Sequence, residues 1–413
     1  MNVHKPLWKP LSRGIVSFLI FCASALPAFA QNQIDLSRLV VVGDSLAAGV
    51  ENGSLEYAQQ EHGFAAVIAR QAATPLTLPL VPYPGAPNTL ELVSPGFPPV
   101  IQPVPGTLFF PRFNPFAIVT DVAVPLQTVA DALDRKPSSQ LQTNDETQLA
   151  TDVVLGFPCP ILLPCPALTQ VEYAVALRPT ALIINIGNND ILGAITSGQL
   201  SSLSGPAFLA NFTTSYSSLL TRLASTHAAL VVANIADVTE AAYFIPASVL
   251  AQELPPVVFN ALGIGPNDYV TLAAFPAIEA ILSGSASGPL SPTCVSGSST
   301  PCVVTATEAA AVRSLTIALN QIIQTEVAAN KGTLVDLFSL VDNLTANGYQ
   351  VNGQTLTTNF LGGLFSLDGL HPTNTGYGIV ANEFIKDINA AFHTHIPLAN
   401  IAAIADRDPL VNP

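Results

Sequence analysis

The residues best suited to chemistry lie near the two ends of the chain. Ser45 stands in LVVVGDSLAAG, where Gly43 and Asp44 separate it from four consecutive apolar residues. Asp368 and His371 stand in FSLDGLHPTNTGYG. A serine hydroxyl becomes a nucleophile when a neighbouring base takes its proton, and imidazole is the commonest such base. In a tight turn, a carboxylate three residues from a histidine reaches one ring nitrogen and leaves the other facing outward. These three side chains therefore predict nucleophilic catalysis.

A Gly-Asp-Ser turn on its own is more often structural. Gly43 would bend the chain, and Asp44 or Ser45 would cap the next helix. A catalytic role also requires donors for the negative charge that develops on a substrate oxygen. IINIGNNDIL, residues Ile183–Leu192, is a second apolar run broken by polar residues, where an asparagine amide could donate. Asp190 in this run is expected to cap the following helix.

Strands and helices are predicted to alternate along the chain. Apolar runs predict strands at Leu39–Val42, Ala181–Ile186, Ala229–Ile235 and Thr333–Phe338. Helical periodicity predicts helices at Tyr57–Ala72, Val171–Leu177, Phe208–Leu223, Thr305–Ala329 and Thr375–Phe392. This alternation implies a parallel sheet with helices on both faces, in which sites gather at the carboxyl ends of the strands. The three polar clusters are all placed to reach that edge.

The stretch from Pro75 to Pro125 has a different composition, with thirteen prolines and almost no charge. Proline lacks an amide N–H, so neither a regular helix nor a central strand is expected there. A second apolar segment reads GFPCPILLPC, Gly156–Cys165. Two interpretations remain open: these segments wall an acyl-chain groove or form a lid over it, or they are stiff surface loops packed onto the core.

The order Gly-Asp-Ser-Leu, Gly-x-Asn-Asp and Asp-x-x-His resembles the sequence blocks of the GDSL or SGNH hydrolase family. The resemblance runs from about Leu39 to Phe392. It implies a three-layer α/β/α, flavodoxin-like fold with a parallel sheet, here with long proline-rich insertions, and esterase or lipase activity. By this match Ser45 is the nucleophile, His371 the general base and acid, and Asp368 the group that orients His371.

The same resemblance implies an oxyanion hole. Asn189 would supply a side-chain donor beside the backbone N–H of Ser45. The family's second block supplies the backbone N–H of a glycine, and in the matching stretch DVAVPLQTVADAL the residue in its place is Leu126. A backbone donor survives a change of side chain, so Leu126 is predicted to complete the hole. This chemistry needs no metal or organic cofactor, and none is predicted.

Two other protein classes fit the sequence less well. An α/β-hydrolase places its nucleophile in Gly-x-Ser-x-Gly after several strands. Here the serine follows the first predicted strand, and Gly43–Ala47 lacks the final glycine. No G-x-G-x-x-G or Walker loop occurs, so the motifs of a nucleotide-binding protein are missing as well.

The expected substrate is a small-molecule or lipid ester, with lipid or fatty-acyl esters favoured by the apolar segments. Sugar sites usually carry clustered Trp and Tyr, and the only tryptophan is Trp8, within the predicted signal sequence. A carbohydrate O-acetylesterase of the same fold is the alternative. A binding protein that keeps the fold without the chemistry is the alternative from a different class.

Residues 1–30 have the plan of a secretory signal. A basic head precedes an apolar run, Ile15–Leu26, and the small residues of Ala28-Phe29-Ala30 precede the expected cleavage point. An uncleaved anchor is the alternative, although the run is short for a spanning helix. The predicted product is secreted or periplasmic and has no later transmembrane segment. Residues 31–413 are predicted to form a single domain with insertions near 75–120, 134–166 and 240–304.

Cleavage after Ala30 would leave eleven basic and 28 acidic residues, a net charge of −17. Such a protein repels nucleic acid and anionic lipid, so neither is expected as a partner through charge. Transient contact with lipid surfaces through apolar segments remains an expectation.

Four cysteines follow the predicted signal, as two close pairs. Cys159 and Cys165 lie in CPILLPC, and Cys294 and Cys302 lie in CVSGSSTPC. Pairing within each segment would close two small loops and suits an oxidising compartment. Zinc is the alternative, but neither pair has Cys-x-x-Cys spacing and no histidine lies near. We predict two local disulfides.

Overall fold

A parallel sheet of four strands forms the centre of the protein. The structure, a computed structural model, describes residue 1 and residues 33–107, 111–203, 205–295 and 297–412. The predicted signal sequence, apart from its first residue, lies outside these described residues.

Strands and helices alternate along most of the described chain. The strands are β1 Leu39–Gly43, β2 Leu90–Ser94, β3 Val100–Pro103, β4 Ala181–Asn185, β5 Ala229–Ala233, β6 Phe244–Pro246, β7 Tyr269–Thr271, β8 Val303–Val304, β9 Thr333–Val335, β10 Tyr349–Val351 and β11 Gln354–Leu356. The helices are α1 Ser45–Ala48, α2 Tyr57–Gln60, α3 Phe64–Gln71, α4 Val129–Asp134, α5 Glu146–Leu155, α6 Gln170–Ala176, α7 Asn189–Thr196, α8 Pro206–Ala224, α9 Ala247–Glu253, α10 Pro256–Ala261, α11 Phe275–Leu282, α12 Ala306–Ala329, α13 Leu337–Asn347, α14 Asn374–Phe392 and α15 Ile401–Ala405.

The central sheet has the strand order β1-β4-β5-β9, and every pairing is parallel. Val41 lies opposite Ile183, which in turn lies opposite Val231. Apart from Asn185 at the end of β4, strands β1, β4 and β5 contain no polar side chain, as expected for a sheet covered by helices on both faces.

Since the strands run in the same direction, their carboxyl ends meet at one edge, where Ser45 follows β1 and Asn189 follows β4. The third predicted cluster, Asp368 and His371, follows no described strand of this sheet and lies in the turn before α14.

Two groups of helices cover the sheet. Helices α3 and α14 pack together on one face, where the Phe64 and Phe384 rings stack 4.8 Å apart. Helices α4, α6, α8 and α12 form the other layer. The protein therefore has the three-layer α/β/α fold that the resemblance implied. No described helix combines the length and the apolar character needed to cross a bilayer.

Most predicted elements have bounds within two residues of those observed, and two differ by more. The helix predicted at Tyr57–Ala72 is broken before Phe64, since Gly63 passes so near Gly49 that a Cβ would come 2.7 Å from its Cα atom. The strand predicted at Thr333–Phe338 ends at Val335. There the Asp336 side chain accepts from the Ser339 N–H at 3.1 Å and caps α13.

The proline-rich stretch contains no central strand or long helix among its described residues, as predicted. Its regular part is the antiparallel pair β2 and β3. Arg112 anchors the stretch because its buried guanidinium donates to the carbonyl oxygens of Val154 and Phe157 at 3.3 and 3.4 Å. The turn of the hairpin is held by Phe97, whose ring meets the Phe275 ring edge-on at 5.7 Å.

Residues 244–304 build a second, smaller core from β6, β7 and β8 with α9, α10 and α11. Cys302 is fully buried within this core and is bridged to Cys294, with 5.0 Å between their Cα atoms. Cys159 and Cys165 form the other bridge at a Cα separation of 5.4 Å. The prediction of two local disulfides is confirmed.

We predict that replacing both Cys159 and Cys165 by serine lowers the free energy of unfolding by about 2 kcal/mol, because the bridge closes a short loop. Ester hydrolysis should be unchanged, since neither cysteine lines the cavity described below. Urea unfolding and a p-nitrophenyl ester assay check the two parts. A large loss of activity in a folded variant would show that this loop takes part in the site.

Candidate active site

Ser45 lies at the carboxyl edge of the sheet, where β1 turns into α1. The Asp44 carboxylate accepts from the Leu46 N–H at 3.2 Å and caps α1. Gly43 is required at the end of the strand because a Cβ there would come 2.3 Å from the carbonyl oxygen of Asn185. The turn therefore has the structural role expected of Asp44, and it leaves Ser45 nearly buried with 8% of its surface exposed.

Asp368 and His371 are in direct contact. The Nδ1 atom of His371 lies 2.7 Å from an oxygen of the Asp368 carboxylate. The turn between them is tight because Gly369 adopts a φ of 70°, and the His371 backbone N–H donates to the other carboxylate oxygen at 2.9 Å. This contact selects the tautomer in which Nδ1 carries a proton and Nε2 is free to accept one.

The Asp368 carboxylate is saturated with further donors. It accepts from the backbone N–H groups of Gly53 at 2.6 Å and Leu370 at 2.8 Å, and from the Ser366 hydroxyl at 3.2 Å. Burial would raise the pKa of Asp368, but the charge of His371 and the hydrogen bonds from His371 and Leu370 outweigh it and lower that pKa below its usual value. The carboxylate is therefore held in its charged form.

The Asn52-Gly53 turn is a functional element that the sequence analysis missed. Both residues have positive φ, 52° and 69°, and they join Glu51 to Ser54 as a two-residue hairpin turn. The Asn52 side-chain oxygen accepts from the Leu367 N–H at 3.0 Å. Asn-Gly is the strongest short-range signal for such a turn, so the turn could be predicted, although its partner lies more than 300 residues along the chain.

Leu126 occupies a glycine-like backbone conformation. The chain before it runs beside β1, where the Val124 N–H donates to the Gly43 carbonyl at 3.0 Å. Leu126 itself has a φ of 67°, in the left-handed region that favours glycine, and its side chain is 43% exposed. Its N–H makes no hydrogen bond to any described residue.

Asn189 begins α7 and faces the same loop. Its side-chain amide donates to the Gln127 carbonyl at 3.1 Å, which uses one of its two N–H groups.

Asp190 belongs to α7, but its side chain caps the start of α4. The sequence prediction that Asp190 caps the helix that follows it is therefore wrong. Its carboxylate accepts from the Val129 N–H at the start of α4 at 3.0 Å. Burial raises the pKa of Asp190 to about 7, and the Val129 hydrogen bond opposes that rise.

A buried polar network fixes these strand ends relative to one another. Asn188 donates to the Asp44 carboxylate at 2.9 Å. Gln170 exchanges two hydrogen bonds of 2.9 Å with the backbone of Gly43 and also donates to the Gln127 side chain at 3.0 Å. Buried amides with all these partners satisfied make the edge of the sheet rigid.

One cavity of about 100 Å³ is lined by Ser45, Asn189 and His371 together. Asp368 lies behind His371, and Leu126 is not among the lining residues. No hydrogen bond joins the Ser45 hydroxyl to His371 among the described residues, so the shared cavity is what brings them together. Such hydrogen bonds are often long without substrate and tighten when it binds.

Most of the cavity wall is apolar, and it comes from the core of the protein. Its lining includes Leu46 and Leu192 beside the polar residues, together with side chains of α13 and α14. No described residue of 75–120 or 156–165 contributes to it. The β2–β3 hairpin lines an adjoining groove through Pro95, Gly96, Phe97 and Pro99, and this groove shares Ala241 and Thr358 with the cavity at Ser45. The hypothesis that the proline-rich segment walls an acyl-chain groove or covers it as a lid stays a prediction.

One acidic cluster in the described chain has the spacing of a metal site, formed by Asp237, Glu240 and Asp342. Arg313 contacts all three carboxylates, with 2.7 Å between its guanidinium and Asp342. Burial and the two neighbouring carboxylates raise the pKa of Glu240 to about 7. An arginine already neutralises this cluster, so it fits an ion-pair network better than a cation site.

Comparison with known proteins identifies the class. The sequence profile of the family described as GDSL-like Lipase/Acylhydrolase matches residues 39–384. The chain therefore belongs to this family and is a hydrolase that acts on ester bonds of small-molecule substrates. No curated protein sequence matches it.

Two solved structures are similar at low identity. One is LAE5, described as an alpha/beta hydrolase enzyme from the metagenome of Lake Arreo, Spain, with 13% identity over 88% of this chain and 98% of that chain and a TM-score of 0.39. The other is TesA, with 13% identity over 86% of this chain and 98% of that chain and a TM-score of 0.34.

We predict that Asn52→Ala slows ester hydrolysis about tenfold, because it removes the acceptor for the Leu367 N–H and disfavours the left-handed backbone that presents Gly53 to Asp368. The loss of one such hydrogen bond costs about 0.5–1.5 kcal/mol, and about 1.4 kcal/mol in the barrier corresponds to a tenfold change in rate. The decrease should appear in kcat with KM nearly unchanged, as expected for a change that acts through His371.

The chain contains a matched control for this substitution. Asn352 and Gly353 form a second Asn-Gly turn, between β10 and β11, with φ values of 51° and 82°. Asn352→Ala introduces the same backbone strain away from Asp368. We expect both variants to lose similar stability in urea unfolding, and only Asn52→Ala to lose kcat. Equal effects on kcat would contradict a positioning role for the Asn52-Gly53 turn.

Proposed function

We propose that the protein hydrolyses carboxylic esters with Ser45 as the nucleophile, His371 as general base and acid, and Asp368 as the group that orients His371. The observation that carries this proposal is the 2.7 Å contact between Asp368 and His371, behind a cavity that His371 shares with Ser45. The family to which the chain belongs supplies the reaction type, and this geometry supports the assignment of these three residues.

The reaction proceeds in two acyl transfers. His371 takes the Ser45 proton through Nε2 while Oγ attacks the ester carbonyl, and the tetrahedral intermediate then collapses to an acyl-enzyme. The leaving alcohol takes its proton from His371. Water next attacks the acyl group with His371 again as the base, and Ser45 is released with its proton restored. The Asp368 carboxylate stabilises the imidazolium that forms in both halves.

Three N–H groups are proposed to hold the oxyanion. Asn189 has a second amide hydrogen beyond the one that Gln127 accepts. The backbone N–H groups of Ser45 and Leu126 make no hydrogen bond to described residues, so both are free to donate. The left-handed backbone of Leu126 supports its match to the family's glycine, because the conformation is the one for which glycine is usually selected.

We infer that the substrates are lipid or fatty-acyl esters. The apolar wall of the cavity beside Ser45 supports a hydrocarbon acyl group. A carbohydrate O-acetylesterase, the alternative considered above, would need polar side chains along the whole sugar, whereas most residues that line this cavity are apolar. The two disulfides fit export to an oxidising compartment, in line with the predicted signal sequence.

We predict that a fluorophosphonate probe labels Ser45. Ser45→Ala should lose both labelling and hydrolysis of p-nitrophenyl esters while unfolding at the wild-type urea concentration. Peptide mass spectrometry locates the label. Labelling at another serine, or full activity in the folded alanine variant, would contradict the assignment of Ser45 as the nucleophile. A wild-type protein that is neither labelled nor active on esters would favour a binding protein.

A second pair of variants tests the oxyanion hole. Asn189→Asp replaces a donor by a carboxylate that repels the oxyanion, and loss of one such donor typically lowers kcat about a hundred- to a thousandfold. Leu126→Gly keeps the backbone N–H and suits the left-handed conformation, so kcat should change less than about tenfold, under about 1.4 kcal/mol. Measuring kcat of both variants on the same ester tests the two predictions. If Leu126→Gly were as damaging as Asn189→Asp, the leucine side chain would be acting in the site.

A further inference from the structure

Helix α13 forms one wall of the cavity that contains Ser45. Four of its residues line that cavity, at spacings of three, four and seven along the helix: Leu337, Leu340, Val341 and Leu344. This spacing places them on one helical face. All four are leucine or valine, so α13 presents a continuous hydrocarbon surface to the cavity.

The strand order shows how far this surface lies from the nucleophile. Ser45 follows β1, whereas α13 follows β9, and the order β1-β4-β5-β9 puts three strand spacings between them. Neighbouring strands are about 4.8 Å apart, which gives a distance of about 14 Å across the carboxyl edge. The cavity therefore runs from the reacting carbonyl position across the sheet to an apolar wall.

The wall provided by α14 and α3 belongs to the rigid core. Tyr377 is fully buried, and its hydroxyl donates to the Val50 carbonyl at 2.5 Å. Phe64 stacks on Phe384. Leu340 and Val341 on α13 are in contrast only half-buried. The α13 side is thus the side of the cavity where bulk can change without disturbing the sheet.

Polar lining residues are concentrated where the ester group would lie. Ser45, Asn188, Asn189 and His371 come from the strand ends and the His371 turn. Asp237 also lines the cavity, but its carboxylate is paired with Arg313. A ligand with a polar group at one end and a hydrocarbon at the other matches this distribution, because hydrocarbon burial is favourable only against apolar surface.

We propose that the acyl chain of the substrate binds inside this cavity, and that Leu340, Val341 and Leu344 set the maximum chain length. The proposal rests on the ester hydrolysis proposed above. The span of about 14 Å from Ser45 to α13 is shorter than an extended palmitoyl chain, so the wall formed by α13 limits how long a chain can fit. The preferred acyl group is therefore of medium length.

The test compares p-nitrophenyl acetate, octanoate and palmitate as substrates of the whole protein. The wild type should turn over octanoate with the highest kcat/KM. Val341→Phe should lower kcat/KM for octanoate by about tenfold or more, while acetate, which does not reach α13, changes little. Leu344→Ala enlarges the cavity and should shift the preference from octanoate toward palmitate.

Ala346→Phe is the matched control, since it adds a ring to an exposed position of the same helix that does not line the cavity. This variant should keep the wild-type chain-length profile. The proposal is overturned if Val341→Phe and Leu344→Ala, both folded and active on acetate, also keep that profile. Failure of the proposed function can be distinguished from failure of this acyl-chain proposal. In the first case the wild type would hydrolyse no ester and would not react with fluorophosphonate.

Discussion

The contact between Asp368 and His371 is the interaction on which the rest of the site depends. A buried carboxylate is costly unless donors surround it. Asp368 obtains them from its own turn and from the N–H of Gly53, more than 300 residues earlier in the chain. The Asn52-Gly53 turn thus ties the segment just after α1 to the segment just before α14, and it holds the carboxylate that contacts Nδ1 of the imidazole.

The opposite side of the site depends on the parallel sheet. Since β1 and β4 end at the same edge, strand pairing and the hydrogen bond from Asn188 to Asp44 bring Ser45 and Asn189 together. The loop that carries Leu126 is then secured by hydrogen bonds from Gln170 and Asn189 to Gln127. Nucleophile, candidate oxyanion donors and imidazole therefore come from four separated segments, each with its own structural support.

Short-range signals in the sequence predicted much of this arrangement. The central strands, the two local disulfides and the contact between Asp368 and His371 all follow from patterns within a few residues. Contacts between segments that lie far apart in the chain could not be predicted from such patterns. Asp190 caps α4 because that helix begins beside it, and the partner of the Asn52-Gly53 turn is set only by the folded chain.

The proline-rich segment is another case in which the sequence did not predict tertiary contacts. Its composition predicted an irregular backbone, but not the groove that this backbone lines. The acyl wall proposed here lies on α13, which was partly assigned to a strand. LFSLVDNL reads as an amphipathic helix only once Asp336 is known to be its cap. Composition and periodicity thus indicate which residues are buried, while the fold decides which cavity they face.

A double-substitution cycle on kcat/KM tests the dependence on the Asp368–His371 pair most directly. His371→Ala, Asp368→Asn and the double variant are compared with the wild type on one ester, with urea unfolding as a check that each is folded. If Asp368 acts only through His371, the double variant should be no slower than His371→Ala alone, since residues that act as a unit are strongly non-additive. If the two losses instead multiply in the double variant, Asp368 contributes independently of His371, and the proposed role for their contact is wrong.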